Sequence, residues 1–292
     1  MSRLVVRHIT TYRYSEPVGL GEHRMMFRPR ESHDLHLIDE QLSIVPPPAH
    51  FRWVHDVFDN SVAVATFAGK TTELRFDSSI TIEHIETDLP DYTIDPEAVR
   101  YPFPYAVGDM PDLAAALHRQ VPSEAVDRWA LSFLAPGPST DTIALLRAMT
   151  VGIRKQFTYV RRPERGVQIP AETLRRGSGS CRDFALLMID GVRSLGLAAR
   201  FVSGYIVVGE SDSTTTGGGS THAWLQVYLP GAGWVDFDPT NARIGNRDLV
   251  RVAVAWDPAQ AVPLWGTFIG KASAFIGMDV SVSVTEKTRS AA

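Results

Sequence analysis

A helical pattern that begins at the only cysteine of the chain constrains the fold more than any other stretch. After Cys181, apolar residues recur at three- and four-residue steps, the period of a helix with one buried face. These residues are Phe184, Met188, Val192 and Leu195. Gly196 predicts the end of the helix, because glycine is common just past a helix C-terminus. Upstream, the glycines of 177–180 permit a sharp turn, and Ser180 is a suitable helix cap.

Cys181 is therefore predicted in the first turn of this helix. Unpaired N–H groups and the helix dipole stabilise negative charge there, so the position favours a thiolate, which is a ready nucleophile. The alternative interpretation is that a lone cysteine is a small buried apolar residue without chemistry. Residues farther along the chain have to distinguish these two interpretations.

His222 and Asp238 lie at the open end of a predicted hairpin. The turn at 230–233 joins the strand that His222 begins to the strand that Asp238 ends, so both side chains are expected at one sheet edge. A carboxylate there can orient an imidazole whose other nitrogen faces a thiol. Alternation places Asp236 on the same face as Asp238, so periodicity leaves the choice of acid open. The structural alternatives are a core-edge histidine and an aspartate that forms a turn before Pro239.

Short strand-like runs dominate the first third of the chain and predict an antiparallel β-sandwich. The predicted strands are 4–15, 35–45, 51–58, 62–68, 71–77 and 79–86. Helices are predicted at 111–119, at 122–134 and from Ser139 or Thr140 onward, followed by a loop through Pro163 and Pro170. Later strands are predicted at 199–208, 222–229, 234–238 and 279–285, with a polar, glycine-rich and mobile loop at 211–220.

The resulting expectation is a two-domain α+β protein. A β-sandwich occupies 1–88, a proline-rich linker 89–105, and a catalytic domain 106–245. The remaining 246–292 form a C-terminal extension with a returning strand, which we expect to pack on one of the two domains.

Composition narrows the classes of partner and compartment. The net charge of −4 gives no support for nucleic-acid binding or for a membrane-surface partner. No apolar run approaches the length of a bilayer-spanning helix, and residues 1–8 lack the apolar core of a signal peptide. One cysteine cannot form an internal disulfide, so we expect a reducing, cytoplasmic location. The oligomeric state is left open.

Several motifs together resemble the transglutaminase-like superfamily, in particular its bacterial members that are described as cysteine proteases. They are Gly179-Ser180-Cys181-Arg182-Asp183-Phe184-Ala185, residues 196–205, His222-Ala223-Trp224, residues 230–234 and Asp238-Pro239-Thr240-Asn241. The start of the chain, with Tyr12, Tyr14 and Arg28-Pro29-Arg30, looks like the domain that commonly precedes this core in bacteria.

The resemblance implies a papain-like core in which a helix carries the cysteine against an antiparallel sheet. It implies Cys181 as nucleophile, His222 as general base and acid, and Asp238 as the residue that orients the histidine, which decides against Asp236. It implies no calcium requirement, and we expect no cofactor and no metal. Many relatives have a glutamate four residues after the histidine, where this chain has Gln226.

Two residues are predicted to contact substrate, namely Trp224 and Ser180. The pair His33 and His36 is a weak metal motif, because no cysteine or third ligand lies near it. Asp183 can serve as a first-turn acid with a structural role.

The predicted activity is attack of a thiolate on a peptide or side-chain amide, with a thioester intermediate. Hydrolysis of a peptide or protein amide is preferred because water is always present, and transglutamination with an amine acceptor is the alternative. A second alternative is a binding or scaffold protein that keeps the fold without catalysis. Loss of a triad member would indicate that class, and all three members are present.

Overall fold

The computed structural model describes residues 2–86, 92–162, 166–208 and 215–286. Two large antiparallel sheets dominate this part of the chain, and the helices lie in the region between residues 110 and 194. The predicted linker 89–105, the loop 211–220 and the proline at 163 lie wholly or partly outside the described residues.

Sixteen strands and five α-helices are present in these ranges. The strands are β1 (Ser2–Met25), β2 (Leu35–Val45), β3 (His50–His55), β4 (Ser61–Thr66), β5 (Lys70–His84), β6 (Arg100–Tyr101), β7 (Thr140–Asp141), β8 (Thr158–Tyr159), β9 (Ser178–Gly179), β10 (Ala199–Ile206), β11 (His222–Leu229), β12 (Gly233–Asp238), β13 (Arg243–Ile244), β14 (Leu249–Ala255), β15 (Leu264–Ile269) and β16 (Phe275–Glu286). The helices are α1 (Met110–Leu117), α2 (Glu124–Leu131), α3 (Thr142–Gln156), α4 (Pro170–Arg176) and α5 (Cys181–Ser194).

The N-terminal sheet is organised around β1, which runs through its centre. Its first half pairs with β5 on one side and with β16 on the other, and its second half pairs with β4 and β15. Alternate side chains of β1, beginning with Leu4, Val6 and His8, point into the interior. The pairing of β1 with β5 is irregular between Arg13 and Val18. Beyond this irregularity the sheet curls around an apolar cluster of its own.

The core sheet has the order β13-β12-β11-β10-β14, and every neighbouring pair is antiparallel. Helix α5 packs on β11 and β10 through the apolar face that the sequence periodicity predicts. Burial of Phe184, Met188 and Val192 in this interface holds the start of α5 against one end of the sheet. The predicted α+β class, with helices packed on an antiparallel sheet after an N-terminal antiparallel β region, is confirmed, and the strands of the predicted N-terminal β-sandwich form one curled seven-stranded sheet.

Several parts of the structure differ from the sequence-based predictions. Strand β1, predicted over 4–15, continues to Met25. The runs 71–77 and 79–86 form one strand, β5, because Ser78 keeps its ladder position opposite His8 and is buried. Helix α4 replaces part of a predicted loop; it begins at Pro170 and ends at Gly177, which has a left-handed backbone. Strands β14 and β15 were not predicted, because their position depends on pairing with β10 and β1, which are distant in sequence.

The N-terminal and core sheets meet through an apolar cluster and a buried polar contact. The cluster joins residues of β1, β2, β5 and β16 to Tyr205, Val250 and Val252 of the core sheet. Beside it, His8 Nδ1 lies 3.1 Å from the Tyr205 hydroxyl and His8 Nε2 lies 3.0 Å from Thr10 Oγ1. The His8 side chain therefore links the two sheets in a region from which water is excluded.

From the burial of His8 we predict that the free energy of unfolding decreases in acid. Burial lowers the pKa of His8 from 6.5 to about 4. A histidine whose folded pKa is depressed stabilises the fold above its unfolded pKa, and this contribution is lost as the pH falls through the folded value. We expect His8 to account for a loss of about 3 kcal/mol between pH 6.5 and pH 4.

Urea unfolding at a series of pH values measures this effect. The His8→Asn variant should lose less free energy of unfolding across that interval than the unmodified protein does. A matched substitution at the exposed His50, His50→Asn, should leave the slope unchanged. Equal slopes for His8→Asn and the unmodified protein would contradict the assignment.

Candidate active site

The glycine-rich turn before α5 sets the position of Cys181. Gly177 ends α4 with φ 60°, after which β9 pairs in parallel with β8. A Cβ on Gly179 would lie 2.8 Å from Asp183 Cβ, so a larger residue would displace that side chain. Ser180 is the extended N-cap residue of α5, and Cys181 is its first helical residue, 7% exposed.

Asp183 is the fully buried residue that organises the first turn of α5. Its Oδ2 accepts hydrogen bonds from Ser180 N–H and Ser180 Oγ–H, both at 2.8 Å. Its Oδ1 accepts from Gln168 N–H at 2.7 Å and from Arg162 Nη1 at 2.8 Å. Burial alone would raise the pKa of Asp183, but these hydrogen bonds outweigh burial and lower it. The carboxylate is therefore charged and holds the turn that presents Cys181.

His222 and Asp238 meet at the edge of the core sheet that faces the start of α5. His222 is the first residue of β11 and Asp238 is the last residue of β12. His222 Nε2 lies 2.9 Å from Asp238 Oδ2, and both side chains are fully buried. Asp238 Oδ1 accepts a further hydrogen bond of 2.9 Å from Thr240 N–H.

The electrostatics of this pair favour a protonated imidazole beside a charged carboxylate. Burial works against ionisation of His222, but the charge and hydrogen bond of Asp238, together with the adjacent Cys181, raise the pKa of His222 to about 10. Burial likewise opposes ionisation of Asp238, whereas the charge of His222 and the hydrogen bonds to Asp238 lower its pKa.

The second ring nitrogen of His222 is the one available to the thiol. Nε2 is bonded to Asp238, while Nδ1 makes no hydrogen bond of ordinary geometry within the described residues. Cys181 lies close enough to contribute to the raised pKa of His222. Gly217 covers this side of the ring, since a Cβ at that position would lie 2.8 Å from Nδ1.

Asp236, the rival acid, has a different partner. Its Oδ1 accepts a 2.6 Å hydrogen bond from Trp224 Nε1, and burial raises the pKa of Asp236, against the opposing charge of Arg251. The indole of Trp224 is fully buried and stacks on the imidazole of His222, with ring centroids 6.0 Å apart. Asp236 therefore holds Trp224 against His222, and Asp238 is the acid that contacts the imidazole.

The two predicted substrate contacts are both buried side chains. Trp224 stacks on His222, and Ser180, 4% exposed, donates its hydroxyl to Asp183. Contact of these two side chains with substrate stays a prediction, and their burial does not favour such contact. Gln226, the departure from the family pattern, is also buried and accepts a 2.9 Å hydrogen bond from Arg200 Nε.

Tyr159 is a neighbour of the thiol that sequence analysis did not single out. It pairs with Gly179 in the β8–β9 ladder, two residues before Cys181, and its ring contacts Phe184. Burial, with added repulsion from the charges of Cys181 and Asp238, raises the pKa of Tyr159 to about 12. The phenol therefore keeps its proton at neutral pH. The Phe-Thr-Tyr run after α3 was the signal available in the sequence. The β8–β9 ladder that positions Tyr159 joins segments that are distant along the chain, so the sequence alone did not predict it.

Residues 2–86, 92–162, 166–208 and 215–286 contain neither a candidate metal site nor a helix that could span a membrane. These ranges contain no group of three or more His, Cys, Asp or Glu side chains that could hold a metal ion. Within the same ranges, no helix combines the length and the apolarity that a membrane span requires.

Two family models match the chain and agree with this architecture. Residues 134–239 match the model of the Transglutaminase-like superfamily. Residues 4–83 match the Bacterial transglutaminase-like N-terminal region. The resemblance predicted from the motifs is thereby confirmed.

Related proteins span nearly the whole chain. An uncharacterized protein of Mycobacterium tuberculosis is 28% identical over 292 residues, which cover 97% of this chain and 92% of the relative. An uncharacterized protein of Mycobacterium leprae is 26% identical, covering 98% of this chain and 99% of the relative. A crystal structure titled as that of a Putative Cysteine Protease from Cytophaga hutchinsonii has a similar fold. Its TM-score is 0.73 at 21% identity, over 98% of this chain and 91% of that chain.

Proposed function

We propose that this protein is a thiol-dependent acyl-transfer enzyme in which Cys181 attacks peptide or side-chain amides and water completes the reaction. One observation carries the proposal. The buried His222–Asp238 hydrogen bond leaves the other imidazole nitrogen without a hydrogen-bond partner among the described residues, and Cys181, at a helix N-terminus, lies close enough to raise the pKa of His222. A positioned base, a residue that orients the base and a thiol are the groups that nucleophilic catalysis requires.

The proposed chemistry follows from these positions. The Cys181 thiolate forms a bond to the amide carbonyl carbon, and the C–N bond breaks as His222 gives its Nδ1 proton to the departing amine. Water then attacks the thioester while His222 takes a proton, which releases the acid and restores the thiolate. The Cys181 backbone N–H is the proposed donor to the oxyanion, because the first N–H groups of a helix have no partner within the helix.

The asymmetry of the imidazole supports this scheme. Asp238 keeps Nε2 occupied, so proton exchange with sulfur and substrate is directed through Nδ1. A raised pKa of about 10 keeps His222 protonated at neutral pH, the state needed for protonation of a leaving amine. The rate of amide cleavage should therefore fall as the pH rises toward 10.

Trapping of the acyl-enzyme tests the proposal without knowledge of the natural substrate. The protein is mixed with p-nitrophenyl acetate, quenched in acid and examined by intact-mass spectrometry. We expect one acetyl group per chain, which hydroxylamine removes as it does a thioester, and no such group on Cys181→Ala. A chain that gains no adduct, or gains it equally in Cys181→Ala, would overturn the enzyme assignment and favour a non-catalytic binding protein.

A glutamine peptide with a fluorescent amine then separates hydrolysis from transfer. Release of ammonia without incorporation of the amine supports hydrolysis. Incorporation that depends on Cys181 would instead identify a transglutaminase and contradict the hydrolytic assignment.

A further inference from the structure

Asn241 contacts both the acid of the site and the segment that covers the histidine. It lies three residues after Asp238, in the turn that follows β12. Its Nδ2 donates to Asp238 Oδ2 at 2.8 Å, and this oxygen also binds His222 Nε2 at 2.9 Å. Two donors to one oxygen restrict the rotation of the carboxylate about its Cβ–Cγ bond. The hydrogen bond from Asn241 also contributes to lowering the pKa of Asp238.

The same amide group binds the backbone on the other side of the histidine. Asn241 Oδ1 accepts from Thr216 N–H at 2.7 Å, and Nδ2 donates to Thr216 O at 3.1 Å. The next residue, Gly217, has φ +100° and lies against His222 Nδ1. The Thr216 contacts therefore hold the backbone that limits where the free side of the imidazole can move.

We propose that Asn241 is a positioning residue that fixes His222 from both ring nitrogens, through Asp238 at Nε2 and through Thr216 and Gly217 at Nδ1. The proposal rests on the proposed function, since it assigns Asn241 to the same site. A primary amide suits this role because it supplies a donor and an acceptor together. Alanine removes both groups, whereas a carboxylate keeps the acceptor and loses the donor.

Two substitutions separate positioning from simple structural support. Asn241→Ala should lower the rate of Cys181 alkylation by iodoacetamide on the order of tenfold, the effect of one lost hydrogen bond to a charged group. Asn241→Asp places a second carboxyl group against Asp238, and two adjacent carboxylates share a proton at low pH. The protonated new carboxyl can still donate to Asp238. The ratio of the variant's rate to that of the unmodified protein should therefore approach one in acid and fall as the pH rises.

Asn246 provides a matched control elsewhere in the chain. Its Nδ2 donates to the carboxylate of Asp34 at 2.8 Å and to the backbone oxygen of Ile85 at 3.2 Å, so its geometry parallels that of Asn241. Asn246→Asp should lower the unfolding temperature without changing the pH dependence of alkylation. Because the chain has one cysteine, every measured rate belongs to Cys181.

The outcomes distinguish failure of this proposal from failure of the proposed function. A pH-dependent ratio for Asn241→Asp, with none for Asn246→Asp, supports positioning by Asn241. If alkylation of the unmodified protein depends on His222 but is the same in both folded Asn241 variants, only the positioning role is overturned. If alkylation of the unmodified protein does not depend on His222, the proposed function itself fails. Equal pH effects for Asn241→Asp and Asn246→Asp would indicate a purely structural role and also overturn positioning.

Discussion

Replacing His222 by alanine should lower the alkylation rate of Cys181 at pH 6 by two orders of magnitude or more. In the proposed site the imidazole takes the proton of the thiol, so the sulfur attacks iodoacetamide as an activated nucleophile. An ordinary cysteine thiol has a pKa of about 8.5 and is ionised to only a fraction of a percent at pH 6. Without the imidazole, reactivity should therefore approach that of an unassisted thiol.

The measurement is the pseudo-first-order rate of iodoacetamide labelling across pH 5 to about 9. The unmodified protein should be labelled faster than His222→Ala, and the ratio of the two rates should be largest at the acid end, where an unassisted thiol is least ionised. Acetylation by p-nitrophenyl acetate should fall in parallel, because a general base contributes roughly 10²- to 10⁴-fold.

A buried histidine in the other sheet controls for loss of stability. His84 is 1% exposed and, like His222, has an Nδ1 without a hydrogen-bond partner in the described residues. His84→Ala removes a similar side chain from a place away from the thiol, so it should alter the unfolding temperature and leave the labelling profile intact. Rapid labelling of folded His222→Ala at pH 6 would contradict the assignment of His222.

Replacing Asp183 by alanine should cost about 3 kcal/mol or more of the free energy of unfolding and should also disturb Cys181. The buried carboxylate accepts four hydrogen bonds, two from Ser180 and one each from Gln168 and Arg162. Removal leaves buried donors without an acceptor and takes away the negative charge that Arg162 contacts. The first turn of α5 then loses the contacts that orient the cysteine.

Urea unfolding and iodoacetamide labelling report these two effects separately. Asp190, near the other end of α5, is a matched control because its carboxylate binds Arg119 at 2.8 and 2.9 Å and is also buried. Asp190→Ala should destabilise the protein comparably while Cys181 keeps its labelling profile. If Asp183→Ala retains both stability and labelling profile, the assigned role of Asp183 is wrong.

Local signals predicted the elements of the core because they depend on neighbouring residues. The period of apolar residues after Cys181 and the following glycine were sufficient for α5, and the turn at 230–233 was sufficient for the β11–β12 hairpin. Antiparallel pairing across a short turn brings His222 and Asp238 to one edge, so their proximity was predictable as well. Alternation alone could not choose between Asp236 and Asp238, which share a face.

Contacts between distant segments could not be predicted in the same way. Tyr159 pairs with Gly179, just before α5, in a parallel ladder, and Asn241 binds Thr216, 25 residues upstream. The central role of β1 likewise depends on β15 and β16, which return from the end of the chain.

The amino-acid sequence by itself determined the class of fold, the helix that carries Cys181 and the hairpin that joins His222 to Asp238. Helix periodicity, capping and tight turns are local properties, which short stretches of sequence encode directly. Only the tertiary structure decided that Asp236 binds Trp224, that Asp238 binds His222 and that Asn241 joins the acid to the covering segment. These contacts depend on side-chain geometry at a sheet edge, where spacings of a few tenths of an ångström determine which hydrogen bonds form.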